Sequence, residues 1–156
     1  DPFQKGEFFS RWLDFYKHGT LIINLKEEGL ENDILEIMSQ KKINDFFFLD
    51  QSFPFLIKTS LRGESRSAVR VSEYESIETA LTLKGKVDWV WVDFFNKFPL
   101  NFNNFNKLKE SNFKLCLVSP ELQNKSKEIV KDLRRHLEDQ KMYFDAVCTK
   151  YPNFWE

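Results

Sequence analysis

Six short apolar runs recur along the chain, and each breaks into a polar or charged residue at its carboxyl end. They are Leu21-Ile22-Ile23-Asn24-Leu25-Lys26, Phe46-Phe47-Phe48-Leu49-Asp50, Ala68-Val69-Arg70-Val71-Ser72-Glu73, Trp89-Val90-Trp91-Val92-Asp93, Leu115-Cys116-Leu117-Val118-Ser119-Pro120-Glu121 and Ala146-Val147-Cys148-Thr149-Lys150. Their ends lie roughly 20 to 30 residues apart, the length of one strand plus one crossover helix, so the pattern predicts repeated βα units. The intervals carry helical periodicity. Phe8, Phe9, Trp12, Leu13 and Tyr16 predict an amphipathic helix within 6–17, and Leu30, Ile34, Leu35, Ile37 and Met38 predict a second, closed by Lys41 and Lys42. Pro54 bars the second strand from continuing and fixes a helix start at Phe53. Tyr74, Ile77, Ala80 and Leu81 predict a helix over 73–83 capped by Ser72 and stopped by Gly85. Phe102, Phe105 and Leu108 give a short helix, and Ile129, Val130, Leu133 and Leu137 stripe a longer one over 125–140.

No two runs are joined by a tight hairpin turn, and every interval is long enough for a crossover, which is the signature of parallel pairing. Along the fourth run Trp89, Trp91 and Asp93 share one face and Val90 and Val92 the other, both mostly apolar, as in a parallel strand covered on both sides. Two closures satisfy this rhythm. One is an open doubly wound parallel sheet. The other is about six-eighths of a (β/α)8 TIM-type barrel, because a whole barrel needs about 250 residues and this chain has 156.

Composition narrows the classes. At 42% apolar and 30% charged the chain is ordinary for a folded domain, which excludes disorder as its main state. A formal charge of −1 argues against a nucleic-acid surface, since neutralising many phosphates needs a basic excess. The apolar runs are too short for a transmembrane segment, and the amino terminus does not read as a signal peptide, so the expected location is cytoplasmic. Cys116 and Cys148 sit inside apolar strands and read as buried reduced thiols. His18 and His136 lie at no metal-like spacing from them.

Several chemistries lack their residues. No Gly-x-Gly-x-x-Gly follows the first strand, no Gly-Lys-Ser or Gly-Lys-Thr pair is present, and no Gly-x-Ser-x-Gly elbow exists. What remains is the ring of strand-end residues, the place where parallel α/β sheets put their sites. Asn24 and Lys26 alternate onto one face, where the Lys could hold an anionic oxygen as a point charge. Asp50, Asp93, Glu121, Glu73 and Ser119 could meet a cation or hydroxyls, and Arg70 could clamp a phosphate or carboxylate. Taken singly, each of these residues is better read as a helix cap or structural ion pair; their gathering at one end of consecutive strands is what points to a site. Trp89 and Trp91 read as core, while Trp155, on a loop after the last strand, could supply a stacking wall.

These residues resemble the glycerophosphodiester phosphodiesterase family, within the phosphatidylinositol phospholipase C-like barrels. Leu21-Ile22-Ile23-Asn24-Leu25-Lys26 is similar to that family's third-strand motif, apolar-Asn-apolar-Glu-apolar-Lys. Ser52-Phe53 looks like the Ser-Phe after its fourth strand, and Asp145-Ala146-Val147-Cys148-Thr149-Lys150-Tyr151-Pro152 resembles its closing Asp-Gly-apolar-apolar-Thr-Asp-Tyr-Pro. The chain opens on Asp1-Pro2 with no initiator Met, similar to the tail of the family's His-Asp motif. The resemblance implies a single domain over 1–156 that forms about strands 3 to 8 of a (β/α)8 barrel, its C-terminal three-quarters. It implies hydrolysis of a small glycerol-type phosphodiester, assisted by a divalent cation such as Mg or Ca, with an acid-base His pair upstream of Asp1, so this stretch alone would be inactive. Lys26 would contact the substrate phosphate. Asn24 stands where the family keeps a metal-ligating Glu, and an uncharged amide is a poorer ligand. That exchange motivates the alternative expectation, a catalytically inactive phospho-ligand or sugar-binding barrel. A third expectation is an open sheet serving as an interaction module.

Overall fold

A computed structural model describes residues 6–17 and 19–156; the Asp1-Pro2 start and His18 lie outside the described residues. All six apolar runs form strands: β1 (Leu21–Asn24), β2 (Phe46–Leu49), β3 (Ala68–Val71), β4 (Trp89–Val92), β5 (Lys114–Val118) and β6 (Ala146–Cys148). Helices alternate with them: α1 (Phe9–Trp12) before β1, then α2 (Glu31–Gln40), α3 (Phe53–Leu61), α4 (Ile77–Leu81), α5 (Phe102–Glu110) and α6 (Lys127–Asp139). β1 pairs with β2, and β3 to β6 pair in chain order, every pair parallel. A single parallel bridge between Phe48 and Ser67, with the Phe48 N–H donating to the Arg66 carbonyl at 2.9 Å, joins the two groups of strands. The chain is an α/β domain built on parallel strands. No helix among the described residues is long and apolar enough to cross a membrane.

Alternation along each strand sorts the core into two faces. Val69, Val71, Val90, Val92, Leu115 and Leu117 pack with Leu56 of α3, Ala80 of α4, Phe105 and Leu108 of α5 and Leu133 and Leu137 of α6. Ile23, Phe46 and Phe48 pack in the same way with Met38 of α2 and with Leu13. The opposite face holds Phe47, Leu49, Ala68, Trp89, Trp91, Cys116 and Val118, and no helix of the α series contributes to that cluster. It is covered by its own side chains: the Phe47 ring of β2 stacks on Trp89 of β4 at 4.6 Å, across the small Ala68 of β3. Both faces of β4 are therefore dry, as its sequence predicts, yet helices account for only one of them. Fully burying such a side chain stabilises by about 1.5–3 kcal/mol, so the inner aromatic floor is a substantial part of the fold.

Two helices are shorter than their periodicity predicts. The amino-terminal one keeps α-geometry only over Phe9–Trp12 and tightens to a 3₁₀ turn at Leu13–Phe15, leaving Phe8 and Phe15 exposed. The segment expected to be helical from residue 73 begins instead at Ile77, capped by the Ser76 hydroxyl, which accepts from the Glu78 N–H at 3.2 Å. Ser72 competes successfully for the backbone upstream: its hydroxyl accepts from the Tyr74 N–H at 3.1 Å and donates to Glu75 at 2.7 Å, making a turn where a helix would have started.

Candidate functional site

The strand ends meet at the carboxyl edge of the sheet. β2 leaves its last apolar residue with Asp50 in the left-handed region, φ 60°, a conformation that disfavours residues with a Cβ and is concentrated at functional positions. There the Asp50 carboxylate accepts from Lys26 Nζ at 2.8 Å, from Arg70 Nη2 and from the Asn24 amide. Arg70, inward on β3, extends the chain of charges: its Nε lies 3.5 Å from Asp93 Oδ2, an ion pair without a hydrogen bond. Asp93 follows β4 and is 4% exposed; it also accepts from Gln123 Nε2 at 3.0 Å and from the Phe94 N–H at 3.1 Å. Alternation puts Asn24, Lys26, Arg70 and Asp93 on the inner face and the left-handed turn after Leu49 brings Asp50 to them, so that Lys26, Asp50, Arg70 and Asp93 alternate in charge above Trp91 and Phe47.

Burial pushes the Asp50 carboxyl up, but the Lys26 hydrogen bond and the Arg70 and Lys26 charges outweigh it and hold it below the usual carboxylate range. Two clefts open beside this carboxylate. One, of about 740 Å³, runs between the ends of β2 and β3 and is lined by Asp50, Phe53, Arg70, Tyr74 and Ser76 among others. The smaller, about 230 Å³, is lined by Lys26, Glu27, Glu28, Asp50, Ser52 and Phe55. Ser52 precedes α3 and makes no cap hydrogen bond; its Oγ is buried and has no hydrogen-bond partner. Ser52 and Lys26 both line the smaller cleft beside the N-terminus of α3, while the Ser52 Oγ itself is buried.

The far half of the edge is organised differently. Glu121, 7% exposed, accepts from Thr149 Oγ1 at 2.5 Å, from the Lys150 N–H at 2.8 Å and from Ser119 Oγ. Burial raises its carboxyl and these three donors lower it further, so it too lies below the usual range. Ser119 is fully buried and accepts from Trp155 Nε1 at 3.0 Å, while the Trp155 ring packs against the helix-side core. Ser119, Glu121 and Trp155 therefore brace the end of β6 behind the edge and do not line the clefts beside Asp50. Glu73 stands apart as well: it accepts from the N–H groups of Phe95, Asn96 and Lys97 at 3.2, 2.6 and 3.2 Å, tying the loop after β3 to the loop after β4. Although desolvation raises it, those backbone donors hold its carboxyl below the ordinary range.

No family model, curated protein or solved structure matches the chain. The resemblance to phosphodiesterase barrels accordingly rests on the motif residues themselves, Asn24, Lys26, Ser52 and the segment from Asp145 to Pro152.

A cation at this edge would draw on Asn24, Asp50 and Asp93, and these donors fit it poorly. The Arg70 guanidinium stands between the two carboxylates, Asp50 already carries two cations, and no three His, Cys, Asp or Glu side chains converge among the described residues. The two cations of this edge, Lys26 and Arg70, are both paired with Asp50, and the smaller cleft also carries Glu27, Glu28 and Glu31. His136 lies on α6 with its ring 6.3 Å from Phe98, so this imidazole is on the helix side and away from the edge.

Four residues at or behind the edge escaped the strand-end reading. Gln123 and Gln51 are amides without charge, and nothing in their spacing marks them. Thr149 was visible only as part of a closing motif. Cys148, half-buried on the inner face of β6, faces the charges of Glu121 and Asp93; burial first and those charges second push its thiol up. Burial likewise drives the Cys116 thiol up to about 12, which makes it an inert core group.

Proposed function

We propose that this chain is the ligand-holding part of a phosphodiesterase-like (β/α) barrel, in which Lys26, Arg70 and Ser52 take the phosphoryl oxygens of a small glycerol-phosphate type ligand. The observation that carries this reading is the pairing of Lys26 with the buried, unpartnered Ser52 hydroxyl around one cleft at the N-terminus of α3. An anion there would meet the helix end and the ammonium, and would satisfy the hydroxyl once the Ser52 side chain turns toward the cleft. The barrel form is supported by strands that follow one another in chain order and by helices packed on one face only, with the other face closing over its own side chains. Binding without hydrolysis is the form this reading favours, because Asn24 stands where the resemblance would keep a charged metal ligand.

Isothermal titration with glycerol 3-phosphate tests the proposal. Binding that weakens at least tenfold in Lys26→Met and in Ser52→Ala is the expected result, each change removing one charge-assisted or buried hydrogen bond worth about 1.5–3 kcal/mol. An affinity equal in wild type and both variants, or no binding at all, would sink it. Hydrolysis of bis-p-nitrophenyl phosphate by the protein, abolished by a chelator, would overturn the non-hydrolytic form and return the reading to a metal-assisted phosphodiesterase.

A further inference from the structure

Asp50 is held in an unfavourable backbone conformation, and the residue next to it has the means to hold it there. Gln51 lies between the two clefts, and its side-chain amide uses both of its donors and its oxygen in buried hydrogen bonds. Its Nε2 donates to Glu31 Oε1 at 3.1 Å and to Thr59 Oγ1 at 2.9 Å, and its Oε1 accepts from Ser67 Oγ at 2.9 Å. All three partners are buried, with exposures of 7%, 6% and 0%. Glu31 opens α2, which follows the Lys26 loop; Thr59 belongs to α3; Ser67 leads directly into β3, which carries Arg70. One amide therefore ties α2, α3 and the start of β3 to the residue that follows Asp50.

We propose that Gln51 is the positioning residue of this site: bonded at once to α2, α3 and the start of β3, it fixes the left-handed turn at Asp50 and so aims the Asp50 carboxylate at Lys26 and Arg70. The argument is geometric. With three anchors, Gln51 has no freedom to let the preceding residue relax to a negative φ, and the Arg70 and Lys26 contacts depend on where that carboxylate points. Without Gln51, Thr59, Ser67 and Glu31 each lose a buried partner, and the turn loses its reason to stay strained.

The test is nitrogen-15 NMR of the Arg70 guanidinium and Lys26 ammonium, read without ligand. In the wild type, Arg70 bonded to Asp50 gives hindered, separately resolved Nη signals, and Lys26 gives an ammonium nitrogen shift displaced by its pairing with Asp50. In Gln51→Leu both signatures are expected to be lost. Val130→Ala, a cavity variant in α6 far from Gln51, serves as the control for destabilisation alone and is expected to keep them. Retention of both signatures in Gln51→Leu, or their equal loss in Val130→Ala, overturns the proposal. Should Gln51→Leu fail to fold, Gln51→Glu keeps the volume and the Ser67 contact while removing both donors, and the same outcomes apply.

The effect on ligand affinity rests on the anion-binding reading. Gln51→Leu is expected to weaken glycerol 3-phosphate binding roughly tenfold, the lower end of what supporting partners contribute at metal sites. Combined with Asp50→Asn, it should add nothing further, since both act through one carboxylate; additive losses count against the proposal. A wild type that does not bind glycerol 3-phosphate removes the anion reading, while the NMR comparison still decides the role of Gln51.

Discussion

Asp50 and Glu121 occupy the same edge of the sheet, are both carboxylates with multiple partners and both titrate below the ordinary range, yet they belong to different machines. The donors to Glu121 are hydroxyls and a backbone N–H, groups with no net charge, and its position is closed to solvent. Asp50 is held by two cations, one of them with its side chain 74% exposed, and it borders both clefts. Neutral donors saturated in a buried network fix structure, because nothing outside can compete for them. Cations shared with an accessible carboxylate can redistribute their hydrogen bonds to an incoming anion. The edge thus divides into a brace across β5 and β6 and a receptive half across β1, β2 and β3.

The largest expected effect comes from breaking the brace. Glu121→Ala leaves the Ser119, Thr149 and Lys150 donors without an acceptor, and is expected to cost about 3 kcal/mol in urea unfolding. Phosphate affinity, corrected for the unfolded fraction, should stay within twofold of wild type. Arg70→Met inverts the pattern. It leaves Asp93, 4% exposed, without its cation, so stability should fall by about 1–3 kcal/mol. Ligand affinity should fall at least tenfold, as expected when a charged partner is lost from a partly desolvated site. If Glu121→Ala abolished binding in the folded fraction, or Arg70→Met unfolded the domain without affecting affinity, the division between brace and receptive half would be wrong.

Acid provides a smaller and graded version of the same contrast. Both carboxyls have folded-state pKa values below their unfolded ones, so each contributes stability that is fully present above the ordinary carboxylate values, about 3.9 for Asp and 4.3 for Glu. That contribution is lost as pH falls through the lowered folded-state values. Thermal unfolding followed from pH 6 down to pH 2 should show the midpoint dropping below about pH 4. In Arg70→Met the Asp50 part of that drop should shrink, whereas the Glu121 part should remain. An unchanged acid profile in Arg70→Met would mean that Lys26 alone sets the Asp50 titration.

The strands and the shared face of Asn24 and Lys26 were legible because a period of two, punctuated by charge, survives in sequence whatever the strands pack against, whereas the turn that brings Asp50 to that face left no such mark. What each charge does was not. Asp50 and Glu121 have the same signature, a carboxylate after an apolar run, and only the fold reveals that one meets cations and the other hydroxyls. Ser119 and Trp155 also read as strand-end candidates, and only the fold shows that Ser119 donates to Glu121 and the Trp155 indole to Ser119. Gln51 was invisible for a further reason: its partners lie 20, 8 and 16 residues away, and a neutral amide carries no local signal of such contacts. The helix start expected at Ser72 failed because its hydroxyl has a nearer backbone partner, a competition that periodicity does not register.

Lys26→Met is the smallest perturbation and the sharpest. With its side chain 74% exposed, the pair with Asp50 should contribute no more than about 0.5 kcal/mol to stability, so the unfolding midpoint should barely move. A lysine this exposed would be an unremarkable surface residue if Asp50 were its purpose. As an anion contact it should instead govern the salt dependence of binding, because long-range attraction of an exposed charge is screened within about 8 Å at physiological ionic strength. Titrations of glycerol 3-phosphate at rising sodium chloride should therefore converge for wild type and Lys26→Met, the wild type losing affinity more steeply. Parallel salt profiles would assign Lys26 to the surface and leave Arg70 and Ser52 as the site, moving the boundary of the receptive half from β1 to β2.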